Sequence, residues 1–459
     1  MKRIISFFIL ALALISLAGC GGNGTNYKAL INSAPIHKYS IVYSENDTDY
    51  SKRAAEYIRD EIEKRTDVKL PIVKDSKEQT KYEIVVGETS RDISKALNAE
   101  TEGLEFAILA SEKSIALEGD YFIIAAAAYY FVDTYITGDN FNSIVPEEAM
   151  VYEPITKEAK NYIVMIGDGM GENHTRLYDY MQIPDNKNYS DNESIFYGYL
   201  LSNSGYVKTD SLSGLTDSAA AGTALASGYK TLNKHIGKDS ELNDLKLITE
   251  LASEMGLSAA VMSTEGQTGA TPSAFTAHAE NRESSSLIRQ SQNEHIQKYG
   301  TIIKCNHDFY SESGIEELEN SVLSVLDTID DNENGFFMMY EEAHIDKHSH
   351  NNDADKTFLA LVRFNQVIAR VMEYAFYNPE TFVLITADHE TGGLHFSQEG
   401  VPEYNTDVHT NVDVPVFVYG KGSEIFDAKT IDNTQIPKTI AKMMGQESFG
   451  DPSTAGYLE

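Results

Sequence analysis

The sequence is poor in cysteine, in positive charge and in long apolar runs. Its two cysteines are Cys20, inside an apolar N-terminal segment, and Cys305, so the body of the chain offers Cys305 no disulfide partner. Nothing around Cys305 suggests activation, and we interpret it as a buried or idle thiol. The chain has 37 Lys and Arg residues against 70 Asp and Glu residues, a formal net charge of −33. This charge argues against a nucleic-acid-binding surface, because phosphate backbones require basic patches.

A single long apolar run, from Ile4 to Leu17, follows two basic residues at the N-terminus. It has the form of a secretory signal and is too short to span a membrane comfortably. It ends in Leu17-Ala18-Gly19-Cys20, which resembles the lipobox of bacterial lipoproteins, where the cysteine carries a lipid. We therefore predict a lipoprotein signal and lipidation site in residues 1–20 and a tether in residues 21–38. The lipid on Cys20 would anchor the protein to a bacterial membrane outside the cytoplasm, at the cell surface or in the periplasm.

Two regions with mixed helix and strand patterns follow, in a chain long enough for more than one domain. The pattern of apolar residues predicts a small α/β accessory domain in residues 39–155. This domain includes a helix over Ser51–Thr66 whose apolar residues lie on one face. This region resembles the small non-catalytic domain that precedes the barrel in family-20 glycoside hydrolases. The resemblance leaves two interpretations open, a contact with glycan or a domain that only packs on its neighbour.

Residues 156–459 alternate apolar strands with helices, which predicts an α/β domain of three layers, αβα. A mainly parallel sheet covered by helices on both faces accounts for the continuous apolar character of the strands. Acids follow directly after three of the predicted strands: Asp168 after Tyr162–Ile166, Glu341 after Phe336–Tyr340, and Asp388 with His389 after Phe382–Thr386. Functional groups of an open parallel sheet gather beyond the carboxyl ends of its strands. Carboxylates meeting there would repel one another unless cations separate them, so the pattern predicts a metal cluster.

Three further features extend this site. Asp346 and His350 are four residues apart, so one helical turn places both on one face, and both side chains are suitable zinc ligands. His409 stands shortly before the predicted strand Val414–Tyr419. Ser218 begins a run of small residues that predicts a helix, and its hydroxyl would face an anion at the helix N-terminus. An N-cap role for Ser218 or for Asp217 fits the same residues.

These residues belong to a set of six motifs that occur in a fixed order along the chain. The motifs are Ile166-Gly167-Asp168-Gly169-Met170-Gly171, Thr216-Asp217-Ser218-Ala219, Ala270-Thr271-Pro272 leading to His278 and Arg282, Glu341 with Asp346 to His350, Thr386-Ala387-Asp388-His389, and His409. Together they closely resemble the alkaline phosphatase family over roughly Asn161–Gly420, and so many motifs in order make coincidence very unlikely.

The resemblance implies two Zn²⁺ ions and a third ion, usually Mg²⁺. Asp346, His350 and His409 resemble the ligands of the first zinc. Asp168, Asp388 and His389 resemble those of the second zinc, with Ser218 as its remaining partner. Asp168, Thr271 and Glu341 resemble the ligands of the third ion. The resemblance also implies that Arg282 binds the phosphate, that Asp217 orients Arg282, and that Lys347 contacts the phosphate through water.

The activity that the resemblance implies is the hydrolysis of small phosphate monoesters through a phosphoserine at Ser218, with release of inorganic phosphate. Family members are often dimers, which leaves a homodimer open. One position departs from the family, because Gly269 stands where relatives commonly carry an acid or a histidine near the third metal, and this leaves the identity of that ion open. Two rival functions remain: a phosphodiesterase or phosphonate hydrolase of the same superfamily, and a non-catalytic surface-binding lipoprotein.

Overall fold

The computed structural model describes residues 29–459 apart from 47–48, 98, 112, 183–195, 202 and 307–313. The predicted signal, the lipidation site at Cys20 and residues 21–28 of the predicted tether lie outside the described residues. Of the helices that the structure describes, not one combines the length and the apolar character needed to cross a bilayer.

In its described part, the region before residue 155 contains nine short strands and three α-helices. The strands are β1 Ala29–Ile31, β2 Ala34–Pro35, β3 Ser40–Tyr43, β4 Ile72–Lys74, β5 Glu83–Val86, β6 Phe106–Ala110, β7 Ser114–Glu118, β8 Phe141–Ser143 and β9 Met150–Tyr152. The helices are α1 Asp49–Thr66, α2 Asp92–Ala96 and α3 Ile124–Tyr135.

Strands β4-β3-β5-β7-β6-β9 form, in this order, what we call the N-terminal sheet. Its first four strands are parallel, and β6 and β9 run antiparallel to their neighbours. Helix α1 buries Ala54, Ala55, Ile58 and Ile62, the predicted apolar face, and packs on α3. Residues 29–38, which the sequence assigns to the tether, form β1, β2 and a 3-10 turn and bury Ile31 and Ile36 completely or nearly so. The part of the predicted tether that the structure describes is therefore packed.

The region after residue 160 contains the remaining elements. The strands are β10 Asn161–Gly167, β11 Asn203–Lys208, β12 Ser258–Ser263, β13 Ile302–Cys305, β14 Phe336–Glu342, β15 Thr381–Thr386, β16 Glu390–Thr391, β17 Leu394–Phe396, β18 Pro402–Tyr404, β19 His409–Thr410, β20 Val414–Tyr419 and β21 Thr430–Asp432. The helices are α4 Glu172–Gln182, α5 Ser218–Ser227, α6 Ile248–Glu254, α7 Ala270–Ala274, α8 Ser285–Tyr299, α9 Gly314–Asp330, α10 His344–Ser349, α11 Ala354–Tyr377 and α12 Gln435–Met443.

The larger sheet has the strand order β13-β12-β14-β10-β15-β20-β11-β21. Neighbouring strands are parallel from β13 to β15, whereas β20 runs antiparallel to both β15 and β11. Two groups of helices pack with it, one formed by α4, α9 and α11 and the other by α5, α6, α7 and α12. The predicted fold class, a mainly parallel sheet between helical layers, is confirmed. Because β12, β14, β10 and β15 point the same way, the residues that follow them meet at one edge.

The N-terminal region packs against α11, a helix that also contacts the larger sheet. The guanidinium of Arg53 on α1 donates to both carboxylate oxygens of Glu373, at 2.7 and 3.0 Å. Tyr57 stacks on Tyr377 with ring centroids 4.2 Å apart. This bidentate ion pair and the stacked rings join α1 to the C-terminal part of α11.

Candidate active site

The loop after β10 brings Asp168 against Asp388. Gly169 has a positive φ of 76°, and its N–H donates to Asp388 Oδ1 at 3.2 Å. A Cβ at Gly169 would lie 2.8 Å from the Cα of Asp346 on α10. Only glycine combines this backbone conformation with such a close approach, so the Gly-Asp-Gly motif serves to draw the loop onto α10.

His389 lies at the centre of the first candidate metal group. Its Nε2 is 3.2 Å from Asp388 Oδ2, 3.5 Å from Asp168 Oδ1 and 3.2 Å from Ser218 Oγ. Ligand atoms around a tetrahedral zinc ion lie about 3.3 Å apart, given bonds of about 2.0–2.2 Å. Asp168 Oδ1 and Asp388 Oδ2 are buried and have no hydrogen-bond partner among the described residues. Such oxygens are costly unless a cation binds them, so the donor set fits a metal ion.

The second candidate metal group is carried by α10 and β19. Asp346 Oδ1 lies 3.2 Å from His350 Nε2 and 3.5 Å from His409 Nε2, and the two Nε2 atoms are 3.2 Å apart. The other ring nitrogens donate to backbone carbonyls, His350 Nδ1 to Asp407 at 2.6 Å and His409 Nδ1 to Thr216 at 2.9 Å. A carbonyl can only accept, so each Nε2 is left to hold either a proton or a metal. This orientation of metal-binding histidines by backbone carbonyls is common.

The pKa values show how unfavourable these carboxylates are without cations. Burial raises the pKa of Asp168 well above its usual range, and the charges of Asp388 and Asp346 add to the effect. Burial, with the charge of Asp346, raises the pKa of Asp388 to about 6. A hydrogen bond to Asp346 raises the pKa of His350 to about 9, so a proton serves there as the counter-charge. A metal ion would displace that proton.

Ser218 is the first residue of α5, and Asp217 is its N-cap. Asp217 Oδ1 accepts from the N–H of Ala220 at 3.0 Å, and its Oδ2 accepts from Arg282 Nη1 at 3.3 Å. Both sequence interpretations of Asp217, an N-cap and a partner of Arg282, therefore hold in the structure. The arginine side chain is about one-third exposed, which leaves guanidinium donors for a ligand. The free N–H groups at the start of α5 favour an anion beside Ser218.

Of the three residues predicted for the third ion, Asp168 follows β10, Glu341 lies near the end of β14 and Thr271 lies in the first turn of α7. Thr271 and Glu341 are completely buried, and Thr271 Oγ1 and Glu341 Oε1 have no hydrogen-bond partner in the described part of the chain. The other oxygen of Glu341 accepts a short hydrogen bond from Ser263. Oxygen donors alone, from acids and a hydroxyl, suit a hard cation such as Mg²⁺.

Lys347 is placed differently from the rest of the predicted site. Its Nζ lies 3.2 Å from Glu265 Oε1, in an ion pair at the edge of the site. The predicted contact of Lys347 with phosphate through water stays a prediction.

Two residues of the site, Thr391 and His174, were not predicted from the sequence. The hydroxyl of Thr391 donates to Asp346 Oδ1 at 2.6 Å and lies 3.2 Å from His389 Nδ1, so it joins the two metal groups. His174 is completely buried, accepts from the N–H of Gly171 at 3.1 Å and lies 3.0 Å from Ser349 Oγ. It thereby joins the loop after Asp168 to α10. Thr391 lies two residues beyond the motif that ends at His389, and no motif includes Thr391 or His174.

Comparison with known proteins accounts for this arrangement. A sequence model of the family described as alkaline phosphatase matches residues 159–308 and 301–407, which is more than half of the chain. The chain belongs to the alkaline phosphatase family. It is 28% identical over 351 residues to alkaline phosphatase 4 of Bacillus subtilis (strain 168), covering 64% of this chain and 74% of that one. It is 26% identical over 344 residues to alkaline phosphatase 3 of the same strain, covering 64% and 72%.

The solved structure of alkaline phosphatase from the Antarctic bacterium TAB5 has the same fold. It superposes with a TM-score of 0.55 at 25% identity, covering 63% of this chain and 99% of that one. Alkaline phosphatase family membership and the two groups of candidate metal ligands identify the chain as a phosphatase-type hydrolase. The matched residues begin at 159, so the N-terminal sheet lies outside the family match.

Proposed function

We propose that this alkaline phosphatase family member hydrolyses phosphate monoesters by transferring the phosphoryl group first to Ser218 and then to water. The observation that carries this proposal is the position of Ser218 Oγ, 3.2 Å from His389 Nε2 in the buried Asp168, Asp388 and His389 group. A hydroxyl at a helix N-terminus that shares a metal group with two carboxylates is well placed to act as a nucleophile.

Each residue of the proposed site has a separate role in the reaction. Ser218 Oγ attacks phosphorus while the bond to the leaving alcohol breaks, and water later breaks the phosphoserine bond and releases inorganic phosphate. Arg282, held by Asp217, binds two phosphoryl oxygens with its planar fork. The first N–H groups of α5 stabilise negative charge on the same phosphoryl group. Zinc ions in the two groups would supply positive charge and lower the pKa of a bound hydroxyl or water.

We propose Zn²⁺ for the two groups that contain histidine and Mg²⁺ for the group of oxygens around Glu341. Imidazole and carboxylate ligands at these spacings suit zinc, whereas Thr271, Glu341 and Asp168 offer only hard oxygens. Cations also resolve a problem of charge, because a chain with a net charge of −33 must attract an anionic substrate.

The monoester preference rests on Arg282. A phosphate monoester has one more unesterified oxygen than a diester, so it gains more from a guanidinium with open donors. We therefore expect Arg282→Ala to lower kcat/KM for a monoester by about 10²-fold, the usual cost of losing a donor to transition-state charge. The same change should affect the matched diester less and so reduce the preference between the two.

The test compares hydrolysis of a chromogenic phosphate monoester and its matched diester by the purified full chain loaded with Zn²⁺ and Mg²⁺. Ser218→Ala and Arg282→Ala are assayed in parallel, and intact mass after rapid acid quench reports a phosphoryl group on the enzyme. We expect fast monoester turnover and a phosphoenzyme, both lost in Ser218→Ala. Faster diester turnover would indicate a phosphodiesterase or phosphonate hydrolase. No turnover with metals bound would indicate a non-catalytic binding protein.

A further inference from the structure

Glu265 lies at the end of β12, beside the strand that carries Glu341. Its N–H donates to Ser263 Oγ at 2.8 Å, and the same hydroxyl donates to Glu341. The neighbouring Thr264 donates its N–H to the backbone carbonyl of Glu341 at 3.1 Å. One short network therefore fixes the backbone of Glu265 beside the oxygens predicted to hold the third ion.

The side chain of Glu265 occupies the space above Gly269. A Cβ at Gly269 would lie 2.4 Å from Glu265 Oε2 and 2.5 Å from its Cδ, so any other residue at 269 would displace the carboxylate. Gly269 has φ −56° and ψ 157°, a conformation that every residue adopts. The backbone does not require glycine here. The glycine instead leaves space for the carboxylate of Glu265, four residues earlier in the chain. This space lies directly before the helix α7, which contains Thr271.

Two oxygens predicted to bind the third ion lack hydrogen-bond partners among the described residues. Thr271 Oγ1 and Glu341 Oε1 are buried without hydrogen bonds to any described residue, and Asp168, whose Oδ1 lies in the first metal group, is the third predicted ligand. Lys347 holds Glu265 from the outer side at 3.2 Å. A single lysine at the edge does not satisfy these two buried oxygens, and a cation beside them would.

We propose that Glu265 completes the third metal position by accepting hydrogen bonds from the water ligands of the ion there. The inference rests on the proposed function, which places an Mg²⁺ ion at Thr271, Glu341 and Asp168. Mg²⁺ keeps several of its waters when it binds to proteins, and a partly exposed carboxylate facing those waters stabilises them. The chain thus replaces a side chain at position 269 with one that enters from position 265.

The test measures binding of Mn²⁺, a spectroscopic substitute for Mg²⁺, to the zinc-loaded full chain, with free Mn²⁺ quantified by electron paramagnetic resonance. We expect the wild type to bind one Mn²⁺ in addition to two zinc ions. Glu265→Gln should weaken Mn²⁺ binding by about 10- to 100-fold, the usual cost of losing an outer-shell partner. Zinc content should stay unchanged. Glu399→Gln, in an exposed turn, is the matched control and should bind Mn²⁺ as the wild type does.

Gly269 allows a second, independent variant. Gly269→Ala adds only a Cβ, which should displace the flexible end of Glu265 and weaken Mn²⁺ binding about as much as Glu265→Ala does. The double variant Glu265→Ala with Gly269→Ala should be no weaker than Glu265→Ala alone, because the three atoms nearest to the added Cβ all belong to the Glu265 side chain that the first substitution removes.

Several outcomes would overturn the inference: a wild type that binds no third ion, unchanged Mn²⁺ binding in Glu265→Gln, or additive effects of the two alanine substitutions. Zinc content and the thermal unfolding midpoint show whether each variant is folded. The binding measurement needs no substrate. Absent monoester turnover with normal Mn²⁺ binding would therefore contradict the proposed function alone, and normal turnover with Mn²⁺ binding insensitive to residue 265 would contradict this inference alone.

Discussion

The N-terminal sheet and the larger sheet both contain fully buried carboxylates, but the surroundings of those carboxylates differ. Glu83, the first residue of β5, is completely buried and accepts from Arg91 at 2.8 and 3.2 Å. Asp168 and Asp388, after β10 and β15, are also buried, and each has one oxygen without a hydrogen-bond partner among the described residues. The N-terminal sheet supplies its own cation, whereas this edge of the larger sheet requires one from solution.

The same contrast occurs between two consecutive residues of β14. Glu341 and Glu342 point to opposite faces of the strand. Burial acts to raise the pKa of Glu342, but His344 and Arg363 outweigh it and lower that pKa to about 2. On the other face, burial and the charge of Glu265 raise the pKa of Glu341 to about 8. An acid next to an arginine has its counter-charge within the chain, whereas an acid whose neighbours are also acids is suited to bind a cation.

Removal of metal should affect only one of the two sheets. We expect a chelator to lower monoester kcat/KM by about 10³-fold or more, since metal charge contributes several kcal/mol to such reactions. Hydrogen exchange measured with and without chelator should become faster in the segments after β10, β14 and β15. Exchange in β5 and around Arg91 should stay unchanged. Faster exchange in both regions would show that the metal stabilises the whole chain and would remove the distinction.

Neutralising one acid in each sheet should change stability in opposite directions. Glu83→Gln leaves the buried charge of Arg91 without its partner and should lower the free energy of unfolding by about 3–5 kcal/mol. Asp388→Asn keeps the oxygen that accepts from Gly169 and removes a repelled charge, so it should raise the stability of the metal-free chain by about 1–3 kcal/mol at pH 7.5. Urea denaturation with chelator present measures both. A loss of stability in Asp388→Asn would contradict the argument from unpaired acids.

Thr391 offers a smaller test of the connection between the two metal groups. Thr391→Val keeps the shape of the side chain and removes the hydroxyl that donates to Asp346. We expect zinc affinity to fall by about 10-fold, because outer-shell partners orient the ligands. Competition with a chromogenic chelator measures the affinity, and Thr391→Ser, which keeps the hydroxyl, should bind zinc nearly as the wild type does. Equal loss in both variants would assign the effect to packing.

The last test concerns His174 and the change in stability over a single pH unit. Burial lowers the pKa of His174 from 6.5 to about 3, so the folded chain holds this ring neutral while the unfolded chain protonates it. The stability that the neutral ring contributes is present above pH 6.5 and is lost as pH falls from 6.5 towards 3. In metal-free protein, the wild type should therefore lose about 1 kcal/mol more per pH unit in this range than His174→Gln. Parallel pH profiles of the two proteins would contradict the assignment.

Much of the fold was predictable because its signals are local. The predicted strands Tyr162–Ile166, Phe336–Tyr340 and Phe382–Thr386 lie within β10, β14 and β15, and Val414–Tyr419 coincides with β20. Continuous apolar runs of this length identify buried strands. The antiparallel direction of β20 was not predictable, because the pattern of residues in a buried strand is the same in either direction.

The candidate site was predictable to the extent that motifs order its residues. His350 Nε2 lies 3.2 Å from Asp346 Oδ1, a contact that the spacing of one helical turn allows. The ordered motifs also contain Asp168, Ser218 and His409, which the structure brings to the same edge of the sheet. They contain no information on Thr391 or His174, whose roles come from contacts between loops.

The sequence by itself determined the strands, the acids that follow them and the family, because each depends on residues close together in the chain or on their order. Only the tertiary structure decided which acids have cations as neighbours. Glu341 and Glu342 are adjacent in sequence, yet one faces Arg363 and the other faces Glu265. Likewise, only the structure shows that the side chain of Glu265 occupies the space that a side chain at position 269 would need. Because protein interiors are closely packed, only one group can occupy each position, and which residue provides that group depends on how the chain folds in three dimensions.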